Sequence, residues 1–213
     1  RGFQADDLTT GKRVVSCPKH FVGYGASESG KDYNTTDMSE AVLRERHLPP
    51  FRACFDEGAG TTMSAFNDLN GIPASANPFT LRQVLREEWG WTGVVLSDWS
   101  AIMECIPHGH AADLRDAGRK CMLAGVDMDM MGMAFPDHLE ELVATGEVPL
   151  ARVDEAVRRL LRLKFLLGLF DSVQTDPDLG ERLFQCDAHR QVSLQVARES
   201  MVLLKNENDL LPL

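Results

Sequence analysis

The chain has 213 residues, 44% hydrophobic and 25% charged, and carries a formal net charge of −10 at pH 7. That composition suits one sizeable globular core, and the acidic balance argues against a nucleic-acid surface, which needs the opposite sign. No run of about 18 apolar residues offers a membrane span; the longest apolar stretch, "LLRLKFLLGLF", is interrupted by Arg162 and Lys164.

The predicted elements alternate along the chain. "RVVSC" (13–17) reads as a short strand. "DMSEAVLRERHLPPF" reads as a helix with Asp37 and Glu40 in capping-box register, stopping near Pro49 and Pro50. "TTMSAF" (61–66) is the next strand, followed by a turn at Asn70-Gly71. Thr80 and Gln83 form a second capping box before "LRQVLREEW". A strand over 93–97 follows, then a helix over "AADLRDAGRKCMLAG" with Gly125 past its end. "VDMDM" is a further strand, and "HLEELVATG" a helix closed by Gly146. In "RVDEAVRRLLRLKFLLG", Val153, Ala156, Val157, Leu160 and Leu161 recur at helical spacing and Gly168 fits the C′ position.

Strand–helix alternation predicts an α/β fold, a parallel sheet with helices outside it. About four β/α units precede residue 170, whereas a full (β/α)8 barrel takes about 250 residues. Residues 1–170 are therefore expected to be the second, C-terminal half of a TIM barrel, and the polar stretch 171–190 a linker. Residues 191–213 read as a helix running into a strand, the start of a further domain. The chain opens on Arg1 and stops on "LLPL", which reads as an internal fragment, so the lack of a signal peptide says little about compartment.

Five cysteines, 17, 54, 105, 121 and 186, show no C-x-x-C spacing. They read as scattered free thiols rather than a zinc site, with one disulfide left open. "VDMDMMGMAF" superficially resembles a calcium loop but places Met131 and His138 where oxygen ligands are needed. His108 and His110 in "PHGH" could bind metal in a barrel hydrolase, or be plain loop histidines. Asn34 opens a glycosylation pattern, "NTT", that is common by chance.

The ends of the predicted strands are more informative, because barrels carry their chemistry there. Lys19 and His20 end the first; alone they could bond hydroxyls, hold an anion or be surface polar residues. Met63 and Phe66 end the second and suit the C–H face of a sugar, or plain core. Asp98 ends the "GVVL" strand beside Trp99, as a helix cap or as a nucleophile. Together they form a polar floor, an apolar wall and one carboxylate. That set suits glycoside chemistry, in which an ionised Asp attacks the anomeric carbon.

On these residues the chain resembles glycoside hydrolase family 3, and within it the bacterial β-glucosidase branch of periplasmic type. The resemblance is carried by "KHFVGYG" (19–25), "SESGKDYNTTDMSEAVLRE" (27–45), "MSAFNDLNGIPASAN" (63–77), "LREEWGWTGVVLSDW" (85–99), "AGVDMDM" (124–130), "DEAVRRLLRLKFLLGLF" (154–170) and "ARESMVLLKNENDLLPL" (197–213). It implies a barrel followed by an α/β sandwich domain beginning in residues 191–213. It implies a retaining, exo-acting β-glucosidase, with a β-xylosidase as the nearest alternative. It needs no cofactor and no metal, and its partner is a β-glucoside or oligosaccharide. Asp98 would be the nucleophile, Lys19 and His20 would hold glycone hydroxyls, and Met63, Phe66 and Trp99 would line the pocket. Many members carry Tyr where this chain has Phe66. The acid/base Glu of this branch would lie beyond residue 213. The loop "VGYGASESGKDYN" contains no His, which disfavours the N-acetylglucosaminidase branch. The resemblance places the parent in the periplasm or outside the cell and leaves a homodimer open. A non-catalytic carbohydrate-binding scaffold is the rival of another class.

Overall fold

A computed structural model describes residues 2–4, 8, 13–171 and 176–211. The chain divides into two compact units, Arg1–Asp171 and Ser172–Leu213.

In the first unit, strand β1 (Thr61–Met63) pairs in parallel with β4 (Val94–Leu96), Thr61 opposite Val94 and Met63 opposite Leu96. Phe21 bridges Ser64 on one flank, and Leu96 bridges Met128 on the other, both in parallel. Four parallel segments thus lie side by side in chain order, with helices between them in sequence, the α/β pattern that the alternation predicted. Gly93 permits the close start of β4: a Cβ there would sit 2.5 Å from the Gly60 carbonyl oxygen.

The outer two segments are not strands, contrary to the sequence expectation for 13–17 and "VDMDM". Side chains supplement the main-chain bonds in both, which include Thr61 N–H to Ser16 O (3.3 Å) and Asp127 N–H to Val95 O (2.9 Å). Thr61 and Thr62 hydroxyls donate to the Ser16 and Pro18 carbonyls, where Pro18 itself has no N–H to offer. On the other flank, the Val95 N–H donates to the Asp127 carboxylate (2.9 Å) instead of a main-chain carbonyl. The expected turn at Asn70-Gly71 closes a small hairpin, β2 (Asp68–Leu69) against β3 (Ile72–Pro73). Both turn residues take positive φ, 53° and 81°, as a two-residue hairpin loop requires.

The first helix does not stop at the prolines. It runs as Glu40–Val42, a π segment Leu43–His47, and Leu48–Asp56. The wider π turn lets the chain pass Pro49 and Pro50, which can neither donate nor tolerate a tight preceding turn. Its cap is Ser39, whose hydroxyl accepts from the Val42 N–H, not Asp37. Likewise Thr80 is not a cap. It is buried in the first turn of the π-helix Phe79–Glu88, and the Asn77 side chain accepts from the Phe79 N–H at 3.1 Å.

The later helices are Leu114–Ala124, capped by Asp113, Ala134–Ala144 and Leu150–Leu166. Gly125, Gly146 and Gly168 follow their ends with positive φ, as expected. The core joins Phe21, Leu43, Leu81, Leu85, Val95, Ile102 and Leu142. An aromatic group extends it, with Phe21 edge-on to Phe51 (5.0 Å) and Phe55 stacked on Trp91 (4.4 Å).

A charged group is buried beside this core. Asp127 accepts from Arg86 (3.0 Å) and Arg159 (2.7 Å) as well as from Val95. Arg86 also donates to the Trp91 and Gly93 carbonyls, both at 2.8 Å. Burial pulls the Arg86 guanidinium down to about 10 and lifts the Asp127 carboxyl above its usual range, against the pull of the two guanidiniums.

The second unit has helices Leu179–Leu183 and Asp187–Glu199. The stretch read as irregular linker therefore holds a short helix, with Arg182 paired to Asp176 across it. The strand expected after the second helix is absent among the described residues. Met201, Val202, Leu203 and Leu204 stand largely exposed, with no strand beside them to supply a ladder.

Candidate active site

Asp98 follows directly on Ser97 at the C-terminal end of β4. The segment around it is pinned on both sides to the neighbouring 128–130 stretch. Ser97 donates its N–H to Met128 O (2.9 Å), its hydroxyl accepts from Met130 N (2.8 Å), and Ser100 N–H donates to Met130 O (2.7 Å). The Asp98 carboxylate is nearly buried, at 9% exposure. Its Oδ1 accepts from the Trp99 N–H at 2.7 Å; turns follow, and the next helix, Met103–Cys105, starts from Ile102, so Asp98 does not cap it. Its Oδ2 lies 3.1 Å from His20 Nε2.

His20 stands at the end of the first parallel segment, where the Phe21 N–H donates to Met63 O at 2.7 Å. The Lys19–His20 and Phe21–Val22 peptides are cis. Burial holds the imidazole below its ordinary value; Asp98 and Asp32 oppose that shift and Lys19 adds to it. A neutral ring with its proton on Nε2 sets an N–H against the carboxylate without cancelling its charge.

The other expected residues lie on the same and neighbouring segments. Met63 ends β1, half-buried. Trp99 is 60% exposed, leaving most of its ring available to a ligand. Phe66 sits under Tyr33 (ring centroids 4.5 Å) and beside Tyr24 (6.1 Å), and Tyr24 meets the His20 ring edge-to-face at 5.2 Å. One run of contacts thus leads from Phe66 through Tyr24 and His20 to Asp98. Tyr24, Asp32 and Tyr33 carried no role in the sequence reading. Their signal was two tyrosines and an acid in a Gly-rich loop directly after a strand end.

The remaining motifs lie elsewhere. His108 Nδ1 is 3.5 Å from Asp68, while His110 is held below its ordinary value by burial and by Lys120, so the two imidazoles have different surroundings. Among the described residues no group of three or more His, Cys, Asp or Glu is placed to hold a metal ion. The half-buried Asn34 donates its amide to Glu28 O at 3.1 Å, and Thr36 of the same pattern is fully buried. All five cysteines are free, the buried Cys105 and Cys121 in sulfur contact at 3.7 Å. A cavity of about 750 Å³, lined in part by Val14, Val15, Cys17 and Cys54, shares no residue with the site.

Residues 2–163 match the model of the glycosyl hydrolase family 3 N terminal domain. The chain belongs to glycosyl hydrolase family 3. It is 43% identical over 205 residues to the periplasmic beta-glucosidase of Salmonella typhimurium, covering 94% of this chain and 27% of that protein. A beta-xylosidase of Formosa agariphila is 35% identical over 210 residues, covering 94% of this chain and 29% of that protein. The crystal structure of beta-glucosidase from Listeria innocua in complex with isofagomine superposes with a TM-score of 0.93 at 39% identity, covering all of this chain and 30% of that one. This family 3 chain therefore spans under a third of the length of these relatives. No helix among its described residues is long and apolar enough to cross a membrane.

Proposed function

We propose that this chain is the nucleophile-bearing part of a retaining, exo-acting β-glucosidase, its four parallel segments belonging to the C-terminal half of a (β/α)8 barrel. The observation that carries the reading is the Asp98 carboxylate: nearly buried, at the end of a parallel strand, with the Trp99 N–H at 2.7 Å and His20 Nε2 at 3.1 Å. An ionised oxygen held this way attacks C1 of a terminal β-glucosyl residue and forms a covalent ester as the glycosidic bond breaks. A second carboxyl group, outside this chain, protonates the departing oxygen and then activates the water that hydrolyses the ester. Retaining chemistry places the two groups about 5–5.5 Å apart. Lys19 and His20 bond glycone hydroxyls, contacts that strengthen as positive charge grows at C1. Met63, Phe66 and Trp99 supply apolar surface to the sugar and its leaving group. The support from relatives is the beta-glucosidase names and the isofagomine complex of the Listeria protein.

The test is trapping. The full-length protein, incubated with a 2-deoxy-2-fluoro β-glucoside bearing a good leaving group, should carry the label on the Asp98 peptide. A label on another residue, or binding without any label, overturns the reading in favour of another nucleophile or a non-catalytic scaffold. The 213-residue chain alone should turn over an aryl β-glucoside at background rate; robust turnover would remove the need for an outside carboxyl group.

A β-xylosidase is the second reading, favoured by the 35% identical Formosa relative. Glucose and xylose differ by one hydroxymethyl group, so kcat/KM on matched aryl glycosides of the full-length protein decides between them. A periplasmic or extracellular site is proposed from the Salmonella relative's name.

A further inference from the structure

The loop that follows His20 is organised around one carboxylate. The Tyr24 hydroxyl donates to Asp32, and the same Asp32 oxygen accepts from the Tyr33 N–H at 3.2 Å. Ser27 ties down the Tyr24 carbonyl at 3.0 Å, and Glu28 N–H closes the loop on Thr35 O at 2.9 Å. Asp32 thereby holds both tyrosines, one by its hydroxyl and one by its backbone. Tyr33 covers Phe66, and Tyr24 sets its ring edge-to-face with His20 at an interplanar angle of 72°. Phe66 brings a ring to this wall but no hydroxyl that could reach the nucleophile.

We propose, resting on the β-glucosidase reading, that Tyr24 and Asp32 are positioning residues that fix the His20 ring beside Asp98. An imidazole can rotate about its side-chain torsion, and an aromatic edge packed on one side removes most of that freedom. The hydroxyl bond to Asp32 in turn fixes the Tyr24 ring. The charged groups acting on His20 are Asp98, Lys19 and Asp32. Asp32 therefore has a second consequence: its negative charge makes the imidazole easier to protonate, and a protonated His20 would partly neutralise the nucleophile.

The experiment uses the full-length protein and three variants, with Asp98 labelling by the fluoro-glycoside as the reference. Tyr24→Phe keeps the ring and loses the hydroxyl; kcat should fall about tenfold with KM within about twofold, the pattern of a misplaced group. Asp32→Asn removes the charge; the acid limb of kcat/KM set by His20 should move to lower pH by about 0.3–0.5 unit. Asp32→Glu should bring the limb back towards wild type. The limb reports only the charge of Asp32, which acts on His20 with or without positioning; a merely structural role would lower stability and leave kcat and KM of Tyr24→Phe at wild type. If Tyr24→Phe fails to fold, the kcat-against-KM split of Asp32→Asn on the plateau of its pH profile decides alone. Wild-type kcat and KM in Tyr24→Phe and in Asp32→Asn, with Asp98 still labelled, overturn this inference and leave the β-glucosidase reading standing. Absence of label on Asp98 in the wild type overturns both.

Discussion

Two buried carboxylates on adjacent parallel segments face different company. Asp127, 6% exposed, is enclosed by two guanidiniums and the Val95 N–H. Asp98, 9% exposed, has one backbone N–H and a histidine that burial keeps hard to protonate. Burial is nearly equal; satisfaction is not. A carboxylate locked by two cations is a joint between elements. Asp127 ties β4 to the helices Phe79–Glu88 and Leu150–Leu166. A carboxylate with one firm hydrogen bond and no cationic clamp keeps lone pairs available, here beside the exposed Trp99.

The sharpest way to break this contrast is to remove each charge in turn. Asp98→Asn in the full-length protein should cut kcat/KM by at least about 10⁴-fold, the scale of losing a nucleophile. Its folding stability should stay close to wild type, because the Trp99 N–H still finds an amide oxygen. Steady-state kinetics beside a urea melt measure both. Undiminished turnover would mean that Asp98 has no part in the chemistry.

Asp127→Ala should do the opposite. It strands Arg86 without its ion-pair partner, leaves Arg159 only Glu155 at 3.5 Å, and leaves the Val95 N–H without a partner. Breaking a buried pair this way costs about 3–5 kcal/mol. The urea midpoint should drop accordingly, while the molecules that remain folded keep their fluoro-glycoside label on Asp98. A stable Asp127→Ala protein with lost labelling would reverse the two roles.

The contrast also shows what was legible in the sequence. The alternation of apolar strands and periodic helices announced the α/β order, and Asp98, Lys19 and His20 were visible as polar residues stationed at strand ends. Asp127 sat in an equally suggestive place, inside "AGVDMDM", yet nothing in that string distinguishes an acid clamped by arginines 41 residues before it and 32 after it. Pairing across such separations is a property of packing. The same limit hid Tyr24 and Asp32, which meet only because the loop closes. It also misplaced two caps: Ser39 outcompeted Asp37, and Asn77 outcompeted Thr80, because chain direction at a helix start decides which side chain reaches the free N–H groups. The helix through Pro49-Pro50 was read as ending there because a π turn leaves no mark on apolar periodicity.

The smallest expected effect concerns the histidine rather than the acids. His20 titrates below its ordinary value of 6.5 in the folded chain, mainly through burial. Above 6.5 both folded and unfolded forms are neutral and the group has no influence on the pH dependence. As pH falls below it, the unfolded chain takes up the proton first, so this group's contribution to stability is lost towards acid. Replacing His20 by Gln removes that proton uptake. The fall in urea midpoint between pH 7 and pH 5 should therefore be smaller in His20→Gln than in wild type. The difference should be modest, since about a quarter of the side chain is exposed to screening solvent. A larger fall in the variant would mean that His20 gains more from pairing with Asp98 than it loses by burial. The imidazole would then be a cation beside Asp98, which would have the same kind of partner as Asp127.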